Sequence, residues 1–164
     1  MKTVREKTSK EVLTTSQRWA ELISVAAMLL LFSFFVYHQA TNTGFFTAKF
    51  GLLEMFCLYS PMLFSLAAPI ARALNGHRNP ARPLEAATNF FLAIASLWLL
   101  MVFPFNFSHL ADALPAAIRF ALTWITNDIG KAILILQVIA GTITALLTTM
   151  KYLSMRRREP AILS

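Results

Sequence analysis

The side chains in this sequence able to do chemistry are few, and most of them stand inside long apolar stretches. Glu54 is the acidic residue set most clearly within one of those stretches. An ionisable group at such a depth is a functional candidate by default, as a proton or cation site. It stands four residues, roughly 6 Å, inward from Phe50. A structural ion pair with Lys49, Lys131 or Arg119 is therefore an equally open reading.

Helical spacing extends Glu54 into a stripe of small and polar residues, Cys57, Pro61, Ser65 and Ala68. Comparable stripes run through Asn89, Ala93 and Ser96, through Gln137, Gly141, Thr144 and Thr148, and from Ser24 and Ala27 through Leu31 toward His38. Small and polar side chains let apolar helices approach closely and bond across the gap, so these stripes mark a shared interior. Packing alone accounts for them. The alternative is a polar path lined by Glu54, Gln137, Asn89 and Thr144, with Pro61 as a hinge.

His38 and His109 both fall near one end of the apolar stretches, where a histidine pair could hold haem or a metal ion. The pair lacks ligand spacing such as HxxxH, and His109 lies beyond Pro104, so histidines resting at a membrane surface are the competing reading. Cys57 is the single cysteine, which excludes an intramolecular disulfide and a CxxC redox centre. Asn106-Phe107-Ser108 matches the N-glycosylation pattern, although it stands only about three residues past an apolar stretch. The five glycines form no phosphate loop or dinucleotide fingerprint, and neither HExxH nor GxSxG occurs. No reaction is written in this chain, and no metal or cofactor is expected outside the histidine alternative.

The elements that must position these residues follow from hydropathy. The chain is 57% hydrophobic and 14% charged, far from a soluble globular composition. Residues 22–48, 55–71, 86–111 and 132–150 contain no Asp, Glu, Lys or Arg. Crossing the hydrocarbon core takes about 20 apolar residues, so four transmembrane helices are expected over 20–38, 50–71, 85–103 and 128–152. The first is too long for a secretory h-region and reads as a retained span. The fold class is thus an all-α integral membrane protein, an up-down bundle of four spans with polar tails at 1–18 and 153–164. Thr8 with Glu11 offers a capping box in the first tail, and Ser16 a helix start.

Pro61 predicts a kink in the second span. The loop that follows, 73–84, is dense in turn formers, among them Asn75-Gly76 and Asn79-Pro80. Between the third and fourth spans the chain stays apolar but is broken by Pro104, Asp112, Pro115 and Arg119. Pro115 suits a first helical position, and Ile118, Leu122 and Ile125 recur at helical spacing. A short interfacial helix over 115–125 is expected, with Arg119 toward the head groups. Thr126 or Asn127 should cap the fourth span.

The net charge of +7 is distributed one-sidedly. Lys2, Arg5, Lys7, Lys10 and Arg18 precede the first span, Arg72, Arg78 and Arg82 join the second to the third, and Lys151, Arg156, Arg157 and Arg158 follow the fourth. Only Lys49, Arg119 and Lys131 fall on the other side. Cations stay on the cytoplasmic side of short loops, so both termini are expected in the cytoplasm. Anionic lipid head groups are the expected partners of these basic flanks, and nucleic acid is not.

About half of the chain in spans, with only short loops and tails and almost no extramembrane domain outside them, points to a non-catalytic membrane subunit or scaffold. Its partners would be lipid and other membrane chains, or copies of itself. A small oligomeric transporter or channel through the Glu54 face is the alternative. A haem-binding redox subunit through His38 and His109 is the second.

Overall fold

The computed structural model describes residues 12–77 and 81–156. The Thr8 and Glu11 capping box, the Asn79-Pro80 turn and much of both basic tails lie outside the described residues. Four long helices are present, α1 (Thr15–Ala40), α2 (Leu52–Asn75), α3 (Arg82–Val102) and α4 (Asn127–Arg156). Each is long and apolar enough to cross a membrane. This arrangement is that of a multi-pass helical membrane protein.

Local chemistry sets where the helices begin. Thr14 caps α1, because its hydroxyl accepts from the Gln17 N–H at 3.3 Å while the Gln17 side chain accepts from the Thr14 N–H at 3.1 Å. The reciprocal Thr-x-x-Gln box starts the helix before Ser16. Helix α3 begins at Arg82, not at 85, since Pro83 fits a first turn that needs no N–H donor. In α4 the Thr126 hydroxyl accepts from the Ile129 N–H at 3.5 Å. Asn127, the other candidate cap, instead accepts from the Phe107 N–H at 2.8 Å.

Helix α2 runs unbroken through Pro61 and Pro69. Neither proline has an N–H, so the carbonyls of Cys57 and Ser65 lack their donor four residues on. The helix closes on Gly76, whose φ of 68° is the left-handed cap conformation that a side chain resists. The Gly76 carbonyl then accepts from the Leu13 N–H at 2.8 Å, tying the segment before α1 to the loop after α2.

Each helix packs on the next in sequence, and α3 on α4 most extensively; among the described residues α1 and α4 share no comparable contact. The packing is serial, an open row. Gly141 sets the closest approach, because a Cβ there would stand 2.9 Å from the Asn89 carbonyl oxygen and 3.2 Å from the Ala93 Cβ. Along α1 only His38, near its end, is buried; the apolar stretch before it holds no buried residue.

The α3–α4 connection differs from the single helix expected over 115–125. Two 3₁₀ segments occupy it, Phe107–Ala113 and Ala116–Ala121. Pro115 separates them, since proline drives the preceding residue out of helical space, and Leu114 is extended at φ −98°, ψ 149°. Each segment ends on a bond of the 3₁₀ type, Leu114 N–H to Ala111 O and Leu122 N–H to Arg119 O, both 3.0 Å. Leu122 and Ile125 pack against the core, whereas Ile118, Phe120 and Trp124 are exposed.

Candidate functional site

The hydrophobic centre gathers at the end of the row holding His38. Phe45, 1% exposed, is surrounded by Phe35, Phe46, Phe105, Phe107 and the His38 ring, with centroids 4.9–5.7 Å away. Most of these rings meet at an angle, the arrangement that aromatic quadrupoles prefer. They come from α1, from the turn after it and from the segment after α3, so this cluster stitches both connections to the helix ends.

His38 is buried within that cluster and fully engaged. Its Nε2 stands 3.1 Å from the Leu110 carbonyl, which can only accept, so Nε2 carries the hydrogen. Its Nδ1 meets the Thr43 hydroxyl at 2.5 Å. Both ring nitrogens of His38 therefore have protein partners, one from its own turn and one from the segment after α3. His109 sits beside Gly44, where a Cβ would stand 3.1 Å from its ring. Its Nδ1 pairs with Asp112 at 2.9 Å, and Arg119 approaches the same carboxylate at 3.8 Å. The two histidines thus serve different local networks. Among the described residues no group of three His, Cys, Asp or Glu could hold a metal ion.

Glu54 stands in the first turn of α2 and closes the helix start, accepting from the Gly51 N–H at 3.0 Å. Its other oxygen accepts from the Trp98 indole at 3.0 Å across to α3. A carboxylate at a helix N-terminus also complements the helix dipole. Its partners are a backbone N–H and an indole, not Lys49, Lys131 or Arg119. Lys131 instead lies 5.1 Å over the Phe103 ring and 3.9 Å from Asp128.

The remaining polar candidates face between helices. Gln137 of α4 accepts from the buried Ser96 hydroxyl of α3 at 3.1 Å. Asn89 donates within its own helix to the Glu85 carbonyl at 2.8 Å. Thr144 is half-buried on the same face of α4 as Gly141 and Thr148. Pro61 is fully buried in α2. Asn106 of the glycosylation pattern accepts from the Ser108 N–H and hydroxyl, capping the first 3₁₀ segment.

At the opposite end a clamp joins three helices. Arg72 of α2 holds Glu21 of α1 through two bonds, 2.8 and 2.9 Å, and reaches Glu85 of α3 at 3.2 Å. The fork and carboxylate geometry makes this a bidentate pair. Sequence reasoning treats Arg72 only as a topology marker, gives Glu21 and Glu85 no role, and misses the clamp. The available signal is one charge within a turn or two of an apolar stretch in each of three helices. Trp98 escapes notice likewise, although an indole inside an apolar helix calls for an acceptor.

No family model matches this chain, and neither a curated protein nor a solved structure matches it.

Proposed function

We propose that this chain is a non-catalytic subunit or scaffold of a membrane complex, acting through helix contacts with other membrane chains or with copies of itself. Its helices traverse the bilayer as an up-down set, and its exposed 3₁₀ segment Ala116–Ala121 lies at the outer surface. Both termini are cytoplasmic, and the basic flanks meet anionic head groups. The cation asymmetry supports this orientation, and exposed Ile118, Phe120 and Trp124 support the interfacial placement.

One observation carries the reading. Ser96 with Gln137, Trp98 with Glu54 and Tyr59 with Gln39 are polar pairs between consecutive helices of the row. Groups so paired hold a scaffold together, whereas a solute path needs polar atoms facing a lumen. The transport alternative through Glu54 and Gln137 therefore draws less support from the geometry, as does haem held by His38.

Mild-detergent extraction of the tagged chain from its native membrane, with native mass analysis, tests the proposal. Stoichiometric recovery with other membrane proteins, or as a defined oligomer without solute flux, is the expected result. A monomer that brings down no partner overturns it. A homo-oligomer whose liposome flux is lost in Glu54→Gln or Gln137→Leu replaces it with transport.

A further inference from the structure

A cavity of about 230 Å³ opens between α1, α2 and α3, next to the Glu21–Arg72–Glu85 clamp. Its volume equals roughly seven waters at their liquid share. It falls below the 300–1,000 Å³ usual for drug-sized ligands, so it suits the head of an amphiphile whose chain lies outside. The wall changes with depth. Arg72 and Glu85 stand at the clamp, Ser24, Thr88 and Asn89 one helical turn further in, and Met28, Leu66 and Leu92 beyond them. From Glu85 to Leu92 is about 10 Å along α3, and over that length the lining passes from charged through neutral polar to largely apolar.

The charges of the lining cancel, because Arg72 and Glu85 are its ionised side chains, one of each sign. What remains is a set of hydrogen-bonding groups of both kinds. A guanidinium has five N–H donors, of which Arg72 gives two to Glu21 and one to Glu85 and keeps the others. Asn89 gives one amide hydrogen to the Glu85 carbonyl and keeps its second.

Acceptors stand beside these donors. Ser24 donates to the Glu21 carbonyl at 2.7 Å, Ser65 to the Met62 carbonyl at 2.6 Å and Thr88 to the Leu84 carbonyl at 2.8 Å. With its hydrogen committed to backbone, each hydroxyl has only lone pairs left to offer. Pro69, also in the wall, has no N–H to give the Ser65 carbonyl. Polar groups left unpaired in an apolar setting are costly, so the matching occupant both donates and accepts.

We propose that this cavity binds the glyceryl head of a neutral membrane lipid, a monoacylglycerol, with its hydroxyls among Arg72, Thr88 and Asn89 and its chain leaving past Met28 and Leu92. Each hydroxyl of such a head accepts as well as donates, so it can take the spare N–H groups of Arg72 and Asn89 and give its own hydrogen to a Ser or Thr oxygen. Groups of one kind fail here. An ammonium cannot accept from those N–H groups, and a carboxylate or phosphate has no hydrogen to give and faces Glu85. The site is separate from the helix contacts of the scaffold reading and does not depend on it.

The test uses the full chain purified in a maltoside detergent, with native mass analysis of bound ligand. Monoolein is titrated beside methyl oleate, oleylamine and oleate, which share its length of chain and differ in the head. Saturable one-to-one binding of monoolein is expected, at least about tenfold tighter than the other three, since roughly two hydrogen bonds separate them. Thr88→Val removes one acceptor and should weaken monoolein about threefold to tenfold while leaving methyl oleate, which has nothing to donate, unchanged. Circular dichroism checks that this variant stays helical, and Ser65→Ala reads the same loss if it does not. Methyl oleate matching monoolein overturns the inference, because the chain alone would then bind. Oleylamine or oleate matching it overturns the inference too, because charge would then govern the site. So does unchanged monoolein affinity in a folded Thr88→Val, or the absence of saturable binding by any of the four, which leaves the cavity to water.

Discussion

Replacing Gly141 by alanine adds a single carbon at the closest approach of α3 and α4. That carbon would stand 2.9 Å from the Asn89 carbonyl oxygen, 3.2 Å from the Ala93 Cβ and 3.5 Å from the Ala93 nitrogen. A carbon and a carbonyl oxygen rest at about 3.3–3.6 Å, so the shortfall is roughly half an ångström. The obstacle is backbone inside a helix and cannot rotate away, so α3 must move as a body. Overpacking of this kind costs about 1–3 kcal/mol. The substitution also gains about 1 kcal/mol of helix propensity, because glycine is a poor helix former. Separation further stretches the Ser96 to Gln137 bond one turn away, where bonds between membrane helices average about 0.6 kcal/mol. The net expectation is a loss of about 1–2 kcal/mol for Gly141→Ala and distinctly more for Gly141→Leu. Reversible unfolding in mixed micelles reads both, with the exposed Thr142→Ala as control. A gain of about 1 kcal/mol in Gly141→Ala would mean that propensity alone operates and that the helices do not touch there, refuting the argument.

Three further outcomes follow from particular contacts. Arg72→Gln leaves Glu21 and Glu85 without their shared partner and should cost about 3 kcal/mol by the same unfolding assay, whereas Arg72→Lys, which cannot form the bidentate fork, should lose a smaller part of it. Gly76→Ala places a side chain at φ 68° and against the Arg18 guanidinium, so a loss of about 1–2 kcal/mol is expected, with Asn tolerated better than Ala. His38→Phe strands the Leu110 carbonyl and the Thr43 hydroxyl inside the aromatic cluster and should lower stability by about 1–3 kcal/mol; protein from haem-supplied cells should show no Soret band in either form, and a band lost on this substitution would restore the haem reading.

The four long helices were legible because their apolar blocks are long and uninterrupted. Their ends were less so. Helix α1 starts at Thr15 and α3 at Arg82, outside the apolar stretches, because the Thr14 and Gln17 box and Pro83 extend the helices into polar sequence that a hydropathy reading assigns to loops. The helix expected over 115–125 is realised only as the short 3₁₀ segment Ala116–Ala121, and a further segment, Phe107–Ala113, precedes it, kept apart by Pro115 and the extended Leu114. The side-chain partnerships were invisible for a different reason. Glu54 and Trp98 are 44 residues apart, and Glu21 and Arg72 are 51. No periodicity encodes such separations. Composition marked Glu54 as unusual, but only geometry tells a carboxylate that closes a helix from one that awaits a cation.

The serial packing carries a consequence for how the chain comes apart and what it offers to partners. Helices α3 and α4 meet along a small-residue seam, Asn89, Ala93 and Ser96 against Gln137, Gly141 and Ala145, where close backbone approach brings dispersion and bonding together. Helix α1 has no such seam. It is held at one end by Glu21 on Arg72 and at the other by Gln39 on Tyr59 and His38 on Leu110, with an unburied apolar stretch between. Stability is therefore graded along the row, and opening should begin at α1, the element with the fewest buried contacts. Loss of Arg72 should release α1 from the basic end while α3 and α4 stay paired. A helix tethered at both ends and unburied along its middle is also the one able to receive another membrane helix without dismantling the rest, which makes α1 the natural face for a partner in the scaffold reading.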